Sequence, residues 1–223
     1  MRYVYLVLVF LLLSSCSLPL YARPDMVDAT RLVYTNQSFT NGLIINLTGC
    51  DAIVKNCVFS GRGLKVTGTG GLIVEDCVFL DADRTAILVS ITGRVIIVRS
   101  FLRNDMTKPP THKYSGIAIH GAGSGFISDV FVADFPGNAF LLEATQDIGG
   151  VQLTRVTSQR CGGGMWFFDA RNCIVDGFRS YDSDYIPHPD HELGLVFPCV
   201  IDEVMVDGTR VRGNTRFYSV DCQ

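Results

Sequence analysis

Along most of the chain, apolar residues recur as short alternating groups rather than at helical spacing, and the groups return at intervals of roughly 21 to 30 residues. Seven quartets open the copies: Leu43-Ile44-Ile45-Asn46, Leu64-Lys65-Val66-Thr67, Ile87-Leu88-Val89-Ser90, Ile117-Ala118-Ile119-His120, Phe140-Leu141-Leu142-Glu143, Trp166-Phe167-Phe168-Asp169 and Leu195-Val196-Phe197-Pro198. In a strand the first and third members of such a quartet face one side and the second and fourth the other. A second apolar pair follows a short turn (Ile53-Val54, Ile73-Val74, Ile97-Val98, Phe126-Ile127). Two polar residues come next (Lys55-Asn56, Glu75-Asp76, Arg99-Ser100, Ser128-Asp129), then a third strand (Cys57-Val58-Phe59, Cys77-Val78-Phe79, Phe101-Leu102, Val130-Phe131-Val132).

Three strands this short cannot bury an apolar face alone, and no helix-length segment lies between copies to cross over a flat sheet. The copies must therefore stack on one central core. The pattern predicts an all-β, single-stranded, right-handed parallel β-helix of about seven coils with three short strands per coil, over residues 43–223. Residues 23–42 are expected to form an N-terminal cap segment over the first coil. The C-terminus ends in mid-coil, which predicts self-association through an open C-terminal edge.

Composition changes one part of this picture. Met1-Arg2 and the uncharged stretch behind it have the form of a secretory signal, so residues 1–22 are read as a signal peptide. Leu13-Ser14-Ser15-Cys16 has the form of a lipobox, which would lipidate Cys16; Leu20-Tyr21-Ala22 is a competing cleavage site. The expected location is export, as a bacterial envelope lipoprotein or a secreted or periplasmic protein, with no transmembrane segment in the mature chain. A net charge of −3 with no basic run gives nucleic acid no electrostatic footprint. Of the eight cysteines, Cys57 and Cys77 fall in one inward column and read as small core residues, whereas Cys199 and Cys222 are a candidate disulfide pinning the last coil.

Candidate chemistry lies on the first-strand face. The fourth quartet position runs Asn46, Thr67, Ser90, His120, Glu143, Asp169, Pro198, which predicts an ionisable column of His120, Glu143 and Asp169 at coil spacing of about 4.8 Å. Two insertions, 104–114 and 182–192, precede first strands and would wall a groove over this column; Trp166 is expected to point into the core. Glu143 and Asp169 at that spacing would suit a retaining glycosidase pair. Alternatively Lys113, Tyr114 or His120 would act as the base of a polysaccharide lyase, with Arg171 or a cation neutralising a uronate. Phe167 and Tyr185 would supply aromatic surface for a sugar ring. Asp182, Asp184, His188, Asp190 and His191 would gather a divalent cation such as calcium.

In its three-strand coil and in the polar pair between second and third strands, the chain resembles the pectate-lyase-like right-handed parallel β-helix superfamily over residues 43 to about 221. That resemblance implies a polysaccharide or glycan partner on the first-strand face. It carries over no catalytic residue, because the Asn-Thr-Asp, Gly-His-Gly and Arg-x-Lys segments of polygalacturonases and the Arg-x-Pro-x-x-Arg segment of pectate lyases are missing. The alternative to a glycan-binding or glycan-cleaving protein is a non-catalytic structural or adhesive envelope module.

Overall fold

A computed structural model describes residues 25–28, 31–105, 114–171, 173–181, 195–197 and 216–222, with the backbone alone at 25–28, 143–149, 167–171, 195–197 and 216–222. The chain coils into a parallel β-solenoid. The first strands of coils 1 to 6 are Leu43–Thr48, Leu64–Thr69, Ile87–Ile91, Ile117–Ile119, Asn138–Gly149 and Gly163–Arg171. Second strands of coils 1 to 5 are Asp51–Lys55, Leu72–Glu75, Arg94–Val98, Ser124–Ser128 and Val151–Thr154, and third strands are Val58–Ser60, Val78–Leu80, Phe101–Arg103, Phe131–Ala133 and Thr157–Gln159. In coil 6 one strand, Ile174–Tyr181, serves as both second and third. Each strand pairs in parallel with its counterparts in the neighbouring coils, the rest of the coil serving as the long connection that parallel pairing needs.

The interior is a single apolar column set. Ile45, Val66, Val89, Ile119 and Leu142 stack from the first strands, and Val54, Val74, Ile97, Ile127 and Leu153 from the second. Phe39, Phe59 and Phe79 stack from the third, with ring centroids 4.8 and 4.5 Å apart. Such coil-on-coil stacking removes nearly all of each side chain from water, at about 25 cal/mol per Å² of apolar surface. Cys57 and Cys77 lie in this interior as free thiols; Cys57 and burial together push the Cys77 thiol up. Burial, with the charge of Asp134, pushes Cys161 up to about 12, and burial pushes Cys173 up to about 11.

One corner repeats with particular fidelity. Between second and third strands, Asn36, Asn56, Asp76, Arg99, Asp129 and Arg155 all have φ between 47° and 56°, and Gly177 follows at 69°. A left-handed residue reverses the chain in one step, and Asn, Asp and Gly tolerate it best. At Arg99 and Arg155 an ion pair to the coil before accompanies the conformation: Arg99 Nε lies 2.8 Å from Asp76 and Arg155 Nε 2.6 Å from Asp129. The corner pair of coil 3 is thus Val98-Arg99, one residue earlier than the sequence pattern suggested and with an apolar first member, and Ser100 turns inward, where its hydroxyl accepts from the Cys77 N–H and donates to the Val98 carbonyl.

Both ends depart from the simple repeat. Arg31–Thr35 and Ser38–Phe39 are second and third strands of an incomplete coil ahead of coil 1, and Asp25–Asp28 pairs antiparallel with the former. At the other end, Leu195–Phe197 is not a seventh parallel first strand: it runs antiparallel to coil 6, with Phe197 opposite Met165. Arg216–Cys222 pairs with Ile174–Tyr181, placing Val220 opposite Phe178 rather than in register with Phe197. The edges of coil 6 are therefore occupied by these two strands. Cys199 lies outside the described residues, and Cys222 is described only as a backbone position opposite Ser180.

Candidate functional site

The first-strand sheet has an outer face as ordered as its inner one. Its second-position column runs Ile44, Lys65, Leu88, Ala118, Leu141, Trp166, each directly opposite the next in register. The column changes character along the rod. Ile44 is 71% exposed, Leu88 is half-buried, and Ala118, Leu141 and Trp166 are buried in a small apolar cluster separate from the main core. Trp166 therefore stands on the outer side of the sheet, contrary to the expectation that it points into the core. Met165 takes the inward place opposite Phe140.

That one-residue slip propagates to the ionisable column. The pairing of coils 4 and 5 ends with Ile119 opposite Leu142, so His120 and Glu143 each lie one residue beyond it, and the His120 N–H donates to the Val89 carbonyl at 2.8 Å. Glu143, however, is opposite Phe168, and Asp169 falls one residue further on, beside an irregularity that spans Glu143 to Ile148 of coil 5. The predicted row of His120, Glu143 and Asp169 is thereby broken between Glu143 and Asp169. Upstream the same column is polar, with the Thr67 hydroxyl donating to Asn46 Oδ1 at 2.6 Å.

The remaining predicted site residues divide by position. Tyr114 is half-buried, and its carbonyl accepts from the Gly137 N–H at 3.2 Å. Phe167 is opposite Leu142 and Arg171 opposite Gly149, both as backbone positions. Lys113, Asp182, Asp184, Tyr185, His188, Asp190, His191 and Cys16 lie outside the described residues, as do 106–113 of the first insertion and 182–192 of the second. Among the described residues, no three His, Cys, Asp or Glu side chains gather where a metal ion could be held.

Sequence reasoning missed a hollow at the other end of this face. A cavity of about 300 Å³ lies over coils 1 to 3, lined by Ile44, Arg62, Gly63, Lys65, Asp83, Arg84 and Leu88 among others. Ile44 and Leu88 flank Lys65 in one outward column, while Arg62, Asp83 and Arg84 come from the turns that lead into the first strands. Asp83 holds Arg62 at 3.4 Å. Gly63 keeps the coils close here: a Cβ on it would sit 2.0 Å from the Ala86 carbonyl oxygen. The signal available in the sequence was the apolar second member of the first and third quartets, Ile44 and Leu88, at positions that should face water.

Along the second-to-third corner the electrostatics are those of a ladder. Lys55 and Arg99 together hold the Glu75 carboxyl below its usual range, Arg99 does the same for Asp76, and the guanidinium of Arg155, helped by the Ser128 hydroxyl, lowers Asp129 to about 2. Asp134, nearly buried, accepts from both Arg103 and Arg160 at the next corner. These arginines are thus tied to neighbouring coils.

No family model, no curated protein and no solved structure matches the chain. Among the described residues no helix is long and apolar enough to cross a membrane.

Proposed function

We propose that the protein is an exported β-solenoid of the pectate-lyase-like kind that binds an acidic polysaccharide along the outer face of its first-strand sheet. The observation that carries this reading is the hollow over coils 1 to 3. Its floor pairs the aliphatic side chains of the exposed Ile44 and the half-buried Leu88 with the Lys65 ammonium between them. Its rim adds Arg62 and Arg84 against the single carboxylate of Asp83. An apolar floor suits the C–H face of a sugar ring, and two cations in excess suit a carboxylate on that ring. The same sheet continues from the hollow toward coils 4 and 5, so a chain lying along the rod would reach the ends of the strands that precede His120 and contain Glu143.

Export rests on residues 1–22, and envelope attachment on lipidation of Cys16, which mass spectrometry of the mature N-terminus reads directly. Binding is favoured over hydrolysis because Glu143 and Asp169 are out of register. The test is calorimetric titration with polygalacturonate, alginate and a neutral glucan. The two acidic polymers bind and the neutral one does not; Lys65→Ala with Arg84→Ala weakens binding at least ~10-fold, as loss of charge-assisted contacts requires. Retention of no glycan, or affinity unchanged in the double variant, overturns the reading.

A further inference from the structure

The third-strand face carries a feature that glycan binding does not use. Its outward column reads Val58, Val78, Phe101, Phe131 over four consecutive coils, each opposite the next. Val58 is 40% and Phe101 38% exposed, and the Phe101 and Phe131 rings stack in parallel with centroids 5.4 Å apart. Single exposed apolar side chains are ordinary, but a contiguous row along the starts of four stacked strands is the kind of patch that marks a contact surface.

The corner bordering this face says what the contact is. From coil 1 to coil 6 its charges are Lys55, Glu75, Arg99, Asp129, Arg155 and Asp176, alternating in sign at every step, with Asp76 adding to the negative charge of coil 2. Read backwards, the series is its own opposite. A two-fold axis lying in the plane of the face and along the strands would reverse the rod while leaving each corner against its own copy. Centred between coils 3 and 4, it sets Arg99 against the second copy's Asp129, Glu75 against its Arg155 and Lys55 against its Asp176. The same axis passes between Phe101 and Phe131, so each ring meets the other kind in the second copy.

We infer that the protein forms an antiparallel two-fold dimer through its third-strand faces, with Phe101 and Phe131 at the centre and the alternating corner as its register. A face six coils long at about 4.8 Å per coil and, for three-residue strands with their flanking corners, roughly 15 Å wide gives ~900 Å² in total, below the usual size of stable interfaces, so the dimer is a weak and transient one. The rim charges set orientation more than affinity.

Sedimentation velocity of the full chain up to ~100 µM tests the association, since interfaces of this size fall in that range. The expected result is a concentration-dependent dimer that weakens at least tenfold with Phe101→Ser and shifts toward monomer at ~0.5 M salt, where the screening length is only a few ångströms. Orientation is read by mixing Phe101→Cys with Phe131→Cys under mild oxidation: the mixed disulfide forms faster than either variant alone. A monomer throughout, a dimer indifferent to Phe101→Ser, or preferential like-with-like crosslinking would each overturn the inference.

Discussion

The first-strand and third-strand faces of this rod share one interior but treat their outer surfaces differently. On the first, the outward column passes from an exposed Ile44 to a buried Trp166, so its apolar character is open at one end and covered at the other. On the third, Val58, Val78, Phe101 and Phe131 stay at the surface, and the column is polar at its two ends, at Ser38 and at Thr157 and Arg179. The inward positions cannot account for the difference, because both strands stack the same kinds of residue there. Outward positions are free of the core's packing demand, and that is where two strands of one coil can acquire separate tasks.

The sharpest way to break the comparison is to cut an inward and an outward ring to the same stub. Phe79 is stacked on Phe59 inside the rod, so Phe79→Ala is expected to cost ~3–5 kcal/mol, whereas Phe101→Ala loses about 1 kcal/mol through its ring stack alone. Urea unfolding midpoints at equal m-value measure both. A smaller effect tests how tightly the coils close under the hollow. Gly63→Ala drives a methyl into the Ala86 carbonyl and is expected to cost ~1–3 kcal/mol in the same assay. Smaller again is the effect of Arg99→Asn, which keeps a residue at ease in the left-handed corner and removes only exposed ion pairs, so its urea midpoint is expected to stay close to that of the parent.

Acid gives the finest reading of that corner. Asp129 titrates at about 2 in the folded chain, held there by Arg155 first and the Ser128 hydroxyl second, against the ordinary 3.8; without Arg155 it rises toward that value. A depressed carboxylate contributes stability that is present above the unfolded value and is lost as the pH falls through the folded one. The window is therefore from about pH 4 down to pH 2. In Arg155→Ala the loss of stability across that window flattens, measured as thermal midpoint against pH.

Much of the architecture was legible in the sequence because the coil repeats its inward apolar positions and its polar corner together. What escaped detection has physical causes. Gly163 and Gly164 precede Met165 and carry no side chain to set the alternation, so the largest apolar residue nearby, Trp166, was assigned the inward place that Met165 holds. Alternation also has no direction, and Leu195–Phe197 reads the same whether it joins coil 6 parallel or, as it does, antiparallel. The third-strand stripe was hidden because Val58-Phe59, Val78-Phe79 and Phe131-Val132 are apolar at both positions, leaving no polar residue to mark the outside. The hollow depends on turns from different coils meeting in space, which no local pattern encodes.

The alternating corner carries a consequence for how such a rod could change length. Adding or deleting a whole coil leaves every inward stack and every left-handed turn intact, so stability alone permits any number of coils. Charge does not: six signs reverse into their opposites, but five or seven reverse into themselves and would set like against like along the whole edge. If rods of this kind pair through that edge, length is free to vary only in steps of two coils. A chain shortened or lengthened by a single coil would fold as well as its parent and be a poor match for its own copy.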